Sequence, residues 1–232
     1  MRARLLAGAL VVASLAAFAA ANVARTANRS GTYTSYWRDR LHEPVPPGAV
    51  RLVALGDSTV QAIGAERPME GYVGRIADYV AARTCRPVHI ANVSSAGTTR
   101  DTLVREVPQV DLHTADLVIV ANDNDMEKRI PLESYRQDLT ALLRVLPADR
   151  TIYSDLPIFP GREPYQAVLQ QVTDAHRVMR ADFGAVFNGE GRRLDIFSWL
   201  PPHLNSKGYG YWFKAFQPKV DVVASRWKRN CP

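Results

Sequence analysis

The sequence predicts an α/β fold in which a parallel sheet of about five strands is covered by helices on both faces. Two observations lead to this prediction. Short apolar runs alternate along the chain with longer segments of helical spacing, which is the order that parallel strands and crossover helices require. The inner runs, such as residues 117–120, are continuously apolar, as strands buried on both faces must be.

Each predicted strand is followed by a predicted helix. The first strand covers residues 51–55 and stops at Gly56, and helical spacing then continues to residue 82. Three further strands are predicted at residues 88–93, 116–121 and 151–156, and their helices at residues 100–107, 132–146 and 163–179. A last strand at residues 185–188 precedes a C-terminal helix over residues 206–227.

Composition favours one globular domain and argues against a nucleic-acid-binding protein. The chain has 232 residues, of which 47% are hydrophobic, and carries a net charge of +6. Four of its 29 basic residues (Arg2, Arg4, Arg25 and Arg29) lie in the first 30 positions, and the remaining 25 face 23 acidic residues. A net charge of +2 after residue 30, with no run of basic residues interleaved with aromatic residues, is ordinary for an enzyme.

The first segment is typical of an export signal. Arg2 and Arg4 precede a charge-free stretch over residues 5–21 that ends in three alanines. Residues 1–21 are therefore expected to be a signal peptide or, alternatively, an N-terminal membrane anchor. Residues 22–48 are predicted to be a linker or an arm lying on the domain, and residues 49–232 the domain itself. The expected location is secreted or cell-envelope.

Chemically reactive groups follow the predicted strands at the sheet edge where such groups gather in open α/β folds. Ser58 follows the first strand, at a predicted strand-to-helix junction where a backbone N–H can favour an oxyanion. Gly97 follows the second strand, a polar block at residues 122–125 follows the third, and His203 lies before the last helix. Together they supply a nucleophile, a base and oxyanion donors.

These blocks resemble the SGNH hydrolases, also called the GDSL esterase and lipase family, over residues 50–228. The residues that carry the resemblance are 54–58, Gly97, 122–125, His203, Asn205 and 208–209. The resemblance implies a flavodoxin-like three-layer α/β/α fold with strand order 2-1-3-4-5. It also implies a serine esterase that hydrolyses or transfers an acyl ester without metal or cofactor. By it, Ser58 is the nucleophile, His203 is the base, and Ser58, Gly97 and Asn124 bind the oxyanion.

Two positions depart from the family pattern. Asn122 stands where the third block has glycine, so the oxyanion amide belongs to Asn122 or Asn124, and spacing favours Asn124. Leu200 stands where the last block has the aspartate that orients the histidine. A Ser-His dyad, a substitute acid or lost activity would each account for Leu200. Asp195 is the nearest substitute, and its alternative role is a turn contact.

Other residues contribute less specific expectations. Asn122, Asp155 and Trp199 are candidate pocket residues, and the histidines lack the spacing of a metal site. The expected partner is a small-molecule or carbohydrate or lipid ester, with membrane attachment through the N-terminal segment as an option. The alternative function is a non-catalytic cell-envelope binding protein that retains the fold.

The two cysteines, Cys85 and Cys231, are predicted to form a disulfide bond. In a sheet of order 2-1-3-4-5, the first and last helices lie on one face and their C-terminal ends meet at one edge. Cys85 follows the first of these helices and Cys231 follows the last. A buried thiol at position 85 and a free thiol at position 231 are the alternatives.

Overall fold

A computed structural model describes residues 2–189, 194–198 and 203–228 and contains one five-stranded parallel sheet. The strand order β2-β1-β3-β4-β5 confirms the predicted α/β fold and its topology. The strands are β1 (Val50–Gly56), β2 (Val88–Asn92), β3 (Leu117–Ala121), β4 (Thr151–Ser154) and β5 (Met179–Ala181). Their carboxyl ends meet at one edge, so the loops that follow them lie together.

Helices cover both faces of the sheet. They are α1 (Arg2–Leu41), α2 (Tyr72–Thr84), α3 (Thr99–Asp101), α4 (Asn124–Glu127), α5 (Leu132–Val145), α6 (Arg162–His176), α7 (Phe183–Gly189) and α8 (Ser206–Ala224). On one face α2 packs against α8, and on the other α5 packs against α6. A π-helical turn, Thr102–Glu106, continues directly from α3.

Side chains of the central strands alternate between two apolar cores. In β1, Leu52 and Ala54 pack with α2 and α8, whereas Val53 and Leu55 pack with α5 and α6. Full burial of one aliphatic side chain of this size contributes about 1.5–3 kcal/mol, so these strands need apolar residues at every position. This is why residues 117–120 have no polar side chain.

The prediction of a last strand at residues 185–188 was wrong. Those residues belong to α7, and the fifth strand is the shorter β5 just before it. Phe183 and Phe187 are four residues apart, which places them on the same side of a helix, and their rings lie 5.8 Å apart. A helix brings these two rings into contact, which an extended strand would not do.

The segment predicted as a linker or an arm, residues 22–48, is helical as far as Leu41, because α1 runs through it. Tyr33 and Trp37 are four residues apart, and both are buried against the domain. The Tyr33 hydroxyl donates to the Ala65 carbonyl at 2.8 Å, and Trp37 Nε1 donates to the Gln61 carbonyl at 3.1 Å. Helix α1 also lies beside β2.

Within the described part of the chain, no helix combines the length and hydropathy that a bilayer-spanning segment needs.

Of the two cysteines predicted to form a disulfide bond, only Cys85 lies within the described residues. Cys85 ends α2 in a left-handed conformation with φ of 53°. Helix α8 lies on the same face as α2, as the pairing argument assumed. Cys231 lies outside the described residues, so the Cys85–Cys231 bond stays a prediction.

Candidate active site

The turn that carries Ser58 begins at a residue that must be glycine. Gly56 has φ of +127°, and a Cβ there would lie 1.8 Å from the Ala121 carbonyl oxygen. The chain therefore leaves β1 in close contact with β3. The predicted helix junction directly at Ser58 was wrong: residues 58–64 form hydrogen-bonded turns, and α2 begins only at Tyr72.

Asp57 orders this turn. Its Oδ1 atom accepts hydrogen bonds from the Thr59 backbone N–H at 2.8 Å and from the Thr59 hydroxyl at 2.7 Å. Its Oδ2 atom accepts from the Asp123 backbone N–H at 2.7 Å. One buried carboxylate thus joins the turn after β1 to the loop after β3.

His203 lies within hydrogen-bond distance of Ser58 although 145 positions separate the two residues. The Ser58 Oγ atom is 3.0 Å from His203 Nε2. The His203 segment is held by backbone pairing with an upstream segment: the Ser198 N–H donates to the His203 carbonyl at 2.9 Å. Asn205 then caps α8 by accepting hydrogen bonds from the backbone of Lys207 and Gly208.

Gly64 lets the two chain segments approach each other. It has φ of +102°, and a Cβ there would lie 2.4 Å from the Leu204 carbonyl oxygen and 2.9 Å from the His203 Cβ. A larger residue would therefore push the His203 segment away from Ser58. The sequence interpretation missed Gly64, because this role depends on a contact with residues some 140 positions away in the chain.

The structure also brings Gly97 and Asn124 together. Asn124 Nδ2 donates to the Gly97 carbonyl at 2.8 Å. The other candidate amide, Asn122, bonds elsewhere: its Nδ2 donates to Thr102 Oγ1 at 3.2 Å, and its Oδ1 accepts from the Asn124 backbone N–H at 3.1 Å. Asn124 is therefore the amide next to Gly97, and Asn122 holds the Asn124 backbone through a hydrogen bond.

A second buried carboxyl, Asp123, lies beside Asp57 and lines the cavity at Ser58. Burial raises the pKa of Asp123 well above its usual value, and the neighbouring Asp57 carboxylate raises it further. The cavity at Ser58 is therefore lined by an acid whose neutral form is favoured by its surroundings.

A cavity of about 90 Å³ opens at Ser58 and His203. Its wall is mostly apolar and is built from residues after β4, from α7, from the segments around the histidine and from α8. These residues are Pro157, Ile158, Phe159, Phe183, Phe187, Phe197, Leu204 and Trp212. From the sequence, residues 155–160 and Trp212 were candidates for the pocket wall, with a turn and the core as their respective alternatives; the other wall residues were not predicted.

The remaining predicted site residues lie elsewhere or outside the described residues. Asp155 is buried, and its Oδ1 atom accepts from Arg180 at 3.3 Å. Asp195 is exposed, and its carboxylate accepts from Lys207 Nζ. Trp199 and Leu200 fall in the segment 199–202, which is outside the described residues.

Glu106 is a fully buried acid that the sequence interpretation assigned no role. Its Oε2 atom accepts from the Gly56 N–H at 2.7 Å, and its Oε1 atom accepts from the Ser95 N–H at 2.9 Å and the Ser95 hydroxyl at 2.7 Å. Burial raises the pKa of Glu106 to about 7, although these hydrogen bonds oppose the increase. An isolated glutamate in a helical segment carries no pattern that would have identified it.

The raised pKa of Glu106 predicts a pH-dependent stability difference between the wild type and Glu106→Gln. A raised folded-state pKa contributes stability below the unfolded pKa of about 4.5, and that contribution is lost as pH rises through about 7. The wild type should therefore lose up to about 3 kcal/mol relative to the variant between pH 4 and pH 8. Urea denaturation across this range measures it. The exposed variant Glu133→Gln is the control, and parallel wild-type and Glu106→Gln curves would contradict the prediction.

Comparison with known protein families places most of the chain in one family model. Residues 54–211 match the model of the GDSL-like Lipase/Acylhydrolase family. No curated protein sequence matches the chain. The matched range includes Ser58, Gly97, Asn124 and His203, that is, all the residues predicted to form the site.

Solved structures show the same fold at low sequence identity. A lipase/acylhydrolase from Enterococcus faecalis has a TM-score of 0.64 and 20% identity, and the match covers 78% of this chain and 99% of that one. A psychrotrophic esterase from Pseudoalteromonas sp., inhibited by monoethylphosphonate, has a TM-score of 0.59 and 17% identity, with coverages of 76% and 100%. A catalytic mutant of an acetylxylan esterase from Geobacillus stearothermophilus has a TM-score of 0.61 and 18% identity, with coverages of 79% and 99%.

Proposed function

The chain belongs to the GDSL-like lipase/acylhydrolase family, and from that membership we propose that it is a serine esterase whose reaction centre is Ser58 with His203. The family match and the esterase and lipase folds support acyl ester hydrolysis. The observation that carries the Ser-His assignment is the 3.0 Å separation between Ser58 Oγ and His203 Nε2. That separation is within the range required for proton transfer between a nucleophile and its base.

The first half of the proposed reaction forms an acyl-enzyme. His203 Nε2 takes the hydroxyl proton as Ser58 Oγ bonds to the ester carbonyl carbon, and the carbonyl electron pair moves to its oxygen. When the tetrahedral intermediate collapses, the C–O bond to the alcohol breaks, and His203 returns the proton to the leaving oxygen. Water then repeats the sequence on the acyl-enzyme and releases the acid. An acceptor alcohol in place of water would give acyl transfer.

Three N–H donors are proposed to stabilise the oxyanion: the backbone N–H groups of Ser58 and Gly97 and the side chain of Asn124. A side-chain amide has two N–H bonds. One Asn124 N–H donates to the Gly97 carbonyl, which leaves the second for the substrate oxygen. Preorganised donors of this kind act where charge develops in the transition state.

The mostly apolar cavity next to Ser58 supports an ester substrate with an apolar acyl group. The family includes lipases, and one structural neighbour is an acetylxylan esterase, so lipid and carbohydrate esters are both within the proposed substrate class.

The function test compares wild-type and Ser58→Ala protein on p-nitrophenyl acetate and butyrate. Wild-type hydrolysis should exceed the Ser58→Ala rate by at least about 10³-fold, because the variant has no nucleophile. A fluorophosphonate probe should label wild-type Ser58, as located by peptide mass spectrometry. Leu200 favours a second candidate function, a non-catalytic envelope binding protein, and equal wild-type and variant rates would support that candidate.

The residue at position 200 supplies a separate prediction. We propose that the orientation of the His203 imidazole limits turnover, since Leu200 stands where the family pattern has the orienting aspartate. Leu200→Asp should raise kcat by at least about tenfold, because loss of this acid from a complete triad costs about 10⁴-fold. Leu200→Asn is the matched control. An unchanged or lower kcat for Leu200→Asp would show that imidazole orientation is not limiting.

Export and the disulfide bond remain proposals from the sequence. We propose that residues 1–21 direct export, by a cleaved signal or a retained anchor, and that Cys85 bonds to Cys231 in the oxidising compartment. Intact-mass measurement of protein from the periplasm or medium should show a gain of two hydrogens on reduction. Two alkylatable thiols before reduction would reject the bond.

A further inference from the structure

The segment after β2 changes its helical type close to the site. It begins as α3, continues as the π-helical turn Thr102–Glu106 and ends as a short 3₁₀-helix, Val107–Gln109. π-helical turns are rare and are frequently found at functional sites. Thr102 and Glu106 are both fully buried, and the polar groups of both side chains bond to segments of the candidate active site.

Glu106 connects the strand that carries the nucleophile to the loop that carries an oxyanion donor. Its carboxylate bonds to the backbone of Gly56, two residues before Ser58, and to the backbone of Ser95, two residues before Gly97. The Ser95 hydroxyl adds a third hydrogen bond. One side chain therefore sets the separation between the Ser58 turn and the Gly97 loop.

Thr102 reaches the third oxyanion donor through a chain of hydrogen bonds. Its Oγ1 atom accepts from the Asn122 side chain, and the Asn122 side chain accepts from the Asn124 backbone N–H. Asn124 in turn bonds to the Gly97 carbonyl. All three proposed donors are thus connected to two side chains on one turn.

The hydrogen-bonding pattern at Glu106 suits an ionised carboxylate. A carboxylate only accepts, so it can receive the three N–H and O–H groups that face it. A glutamine has the same size but would direct an N–H at one of these donors. The titratable groups that act on Glu106 from neighbouring elements are Asp57, in the turn after β1, and Tyr153, on β4.

We propose that Glu106 and Thr102 are positioning residues for ester hydrolysis, which hold the three oxyanion donors in register without touching the substrate. This inference rests on the proposed function. A displacement of about 1 Å at a reaction centre can lower the rate about 10²-fold, so a small movement of the Gly97 loop would be measurable. Because the oxyanion forms only after substrate binds, the loss should fall on kcat rather than on KM.

The experiment measures kcat and KM for p-nitrophenyl butyrate at pH 8.5, where Glu106 with a pKa of about 7 is ionised. Glu106→Gln should lower kcat about 10²-fold with KM within about threefold of wild type. Thr102→Val keeps the shape of the side chain but removes the hydroxyl acceptor, and it should lower kcat about tenfold. If Glu106→Gln does not fold, Thr102→Val alone tests the positioning role. Val172→Ala, in the α6 core, controls for lost stability.

Amide hydrogen exchange of residues 93–99 gives a second readout. Exchange there should be faster in both variants than in the wild type and unchanged in Val172→Ala. A kcat within about threefold of wild type in the folded variants, or a loss no larger than that of Val172→Ala, would overturn the proposal. If wild-type protein shows no Ser58-dependent hydrolysis, the proposed function fails. In that case, amide exchange of residues 93–99 that is unchanged in both variants would separately refute the positioning role.

Discussion

His203→Ala is expected to lower kcat for p-nitrophenyl butyrate by about 10⁴-fold or more. The reason is that His203 Nε2, 3.0 Å from Ser58 Oγ, is the proposed acceptor of the hydroxyl proton. Without it the hydroxyl stays protonated during attack, and the leaving alkoxide receives no proton. Initial rates at pH 8.5, with the Ser58→Ala rate as the baseline, measure the loss.

Two controls make this result specific. His113→Ala changes an exposed histidine far along the chain from the site and should keep wild-type turnover. The His203→Ala Ser58→Ala double variant should be no slower than either single variant, since residues that act as a unit are not additive. If His203→Ala kept more than a tenth of wild-type kcat, His203 would not be the base.

Trp37→Ala is expected to lower the free energy of unfolding by about 3–5 kcal/mol. Trp37 is 2% exposed, packs in the same core as α2 and α8, and donates to the Gln61 carbonyl in the nucleophile turn. The substitution leaves a cavity and an unsatisfied carbonyl in a single step. Urea denaturation followed by tryptophan fluorescence and circular dichroism measures the change.

The matched control is Asp39→Ala, an exposed position on the same helix two residues away. It should change the free energy of unfolding by less than about 0.5 kcal/mol. Equal midpoints for wild type and Trp37→Ala would show that α1 does not contribute to the folded domain. Turnover of folded Trp37→Ala protein, measured well below its midpoint, would report whether the Gln61 contact also affects Ser58.

Most of the sheet could be predicted from the sequence because central strands need apolar residues on both faces. Residues 117–120 are all apolar, so a strand formed by them must be buried on both faces. The shared carboxyl edge of parallel strands accounts for the grouping of Ser58, Gly97 and Asn124, which follow β1, β2 and β3. The pairing of His203 with Ser58 was implied by the family resemblance, because His203 does not follow a strand of the sheet.

The errors occurred where tertiary contacts override local pattern. Strand β5 has only three residues, too few for a period, whereas the aromatic residues of α7 resemble a strand. The part of α1 that packs on the domain has two buried aromatic residues among polar ones, and this gives only a weak amphipathic pattern.

The residues missed at the site have roles that only folding creates. Gly64 is required by a backbone that arrives from the far end of the chain. Glu106 resembles a solvated helix acid until the Gly56 and Ser95 N–H groups are placed against it. A buried charge of this kind costs stability, which is a common accompaniment of a rigid reaction centre.

The position of α1 beside β2 has a consequence for self-association. Among the described residues, β2 is the outermost strand on its side of the sheet and has no further strand to pair with. Open edges of this type recruit strands from other molecules and start aggregation. Helix α1 lies beside this edge strand, so we expect chains that lack residues 1–37 to aggregate more readily than the full-length chain.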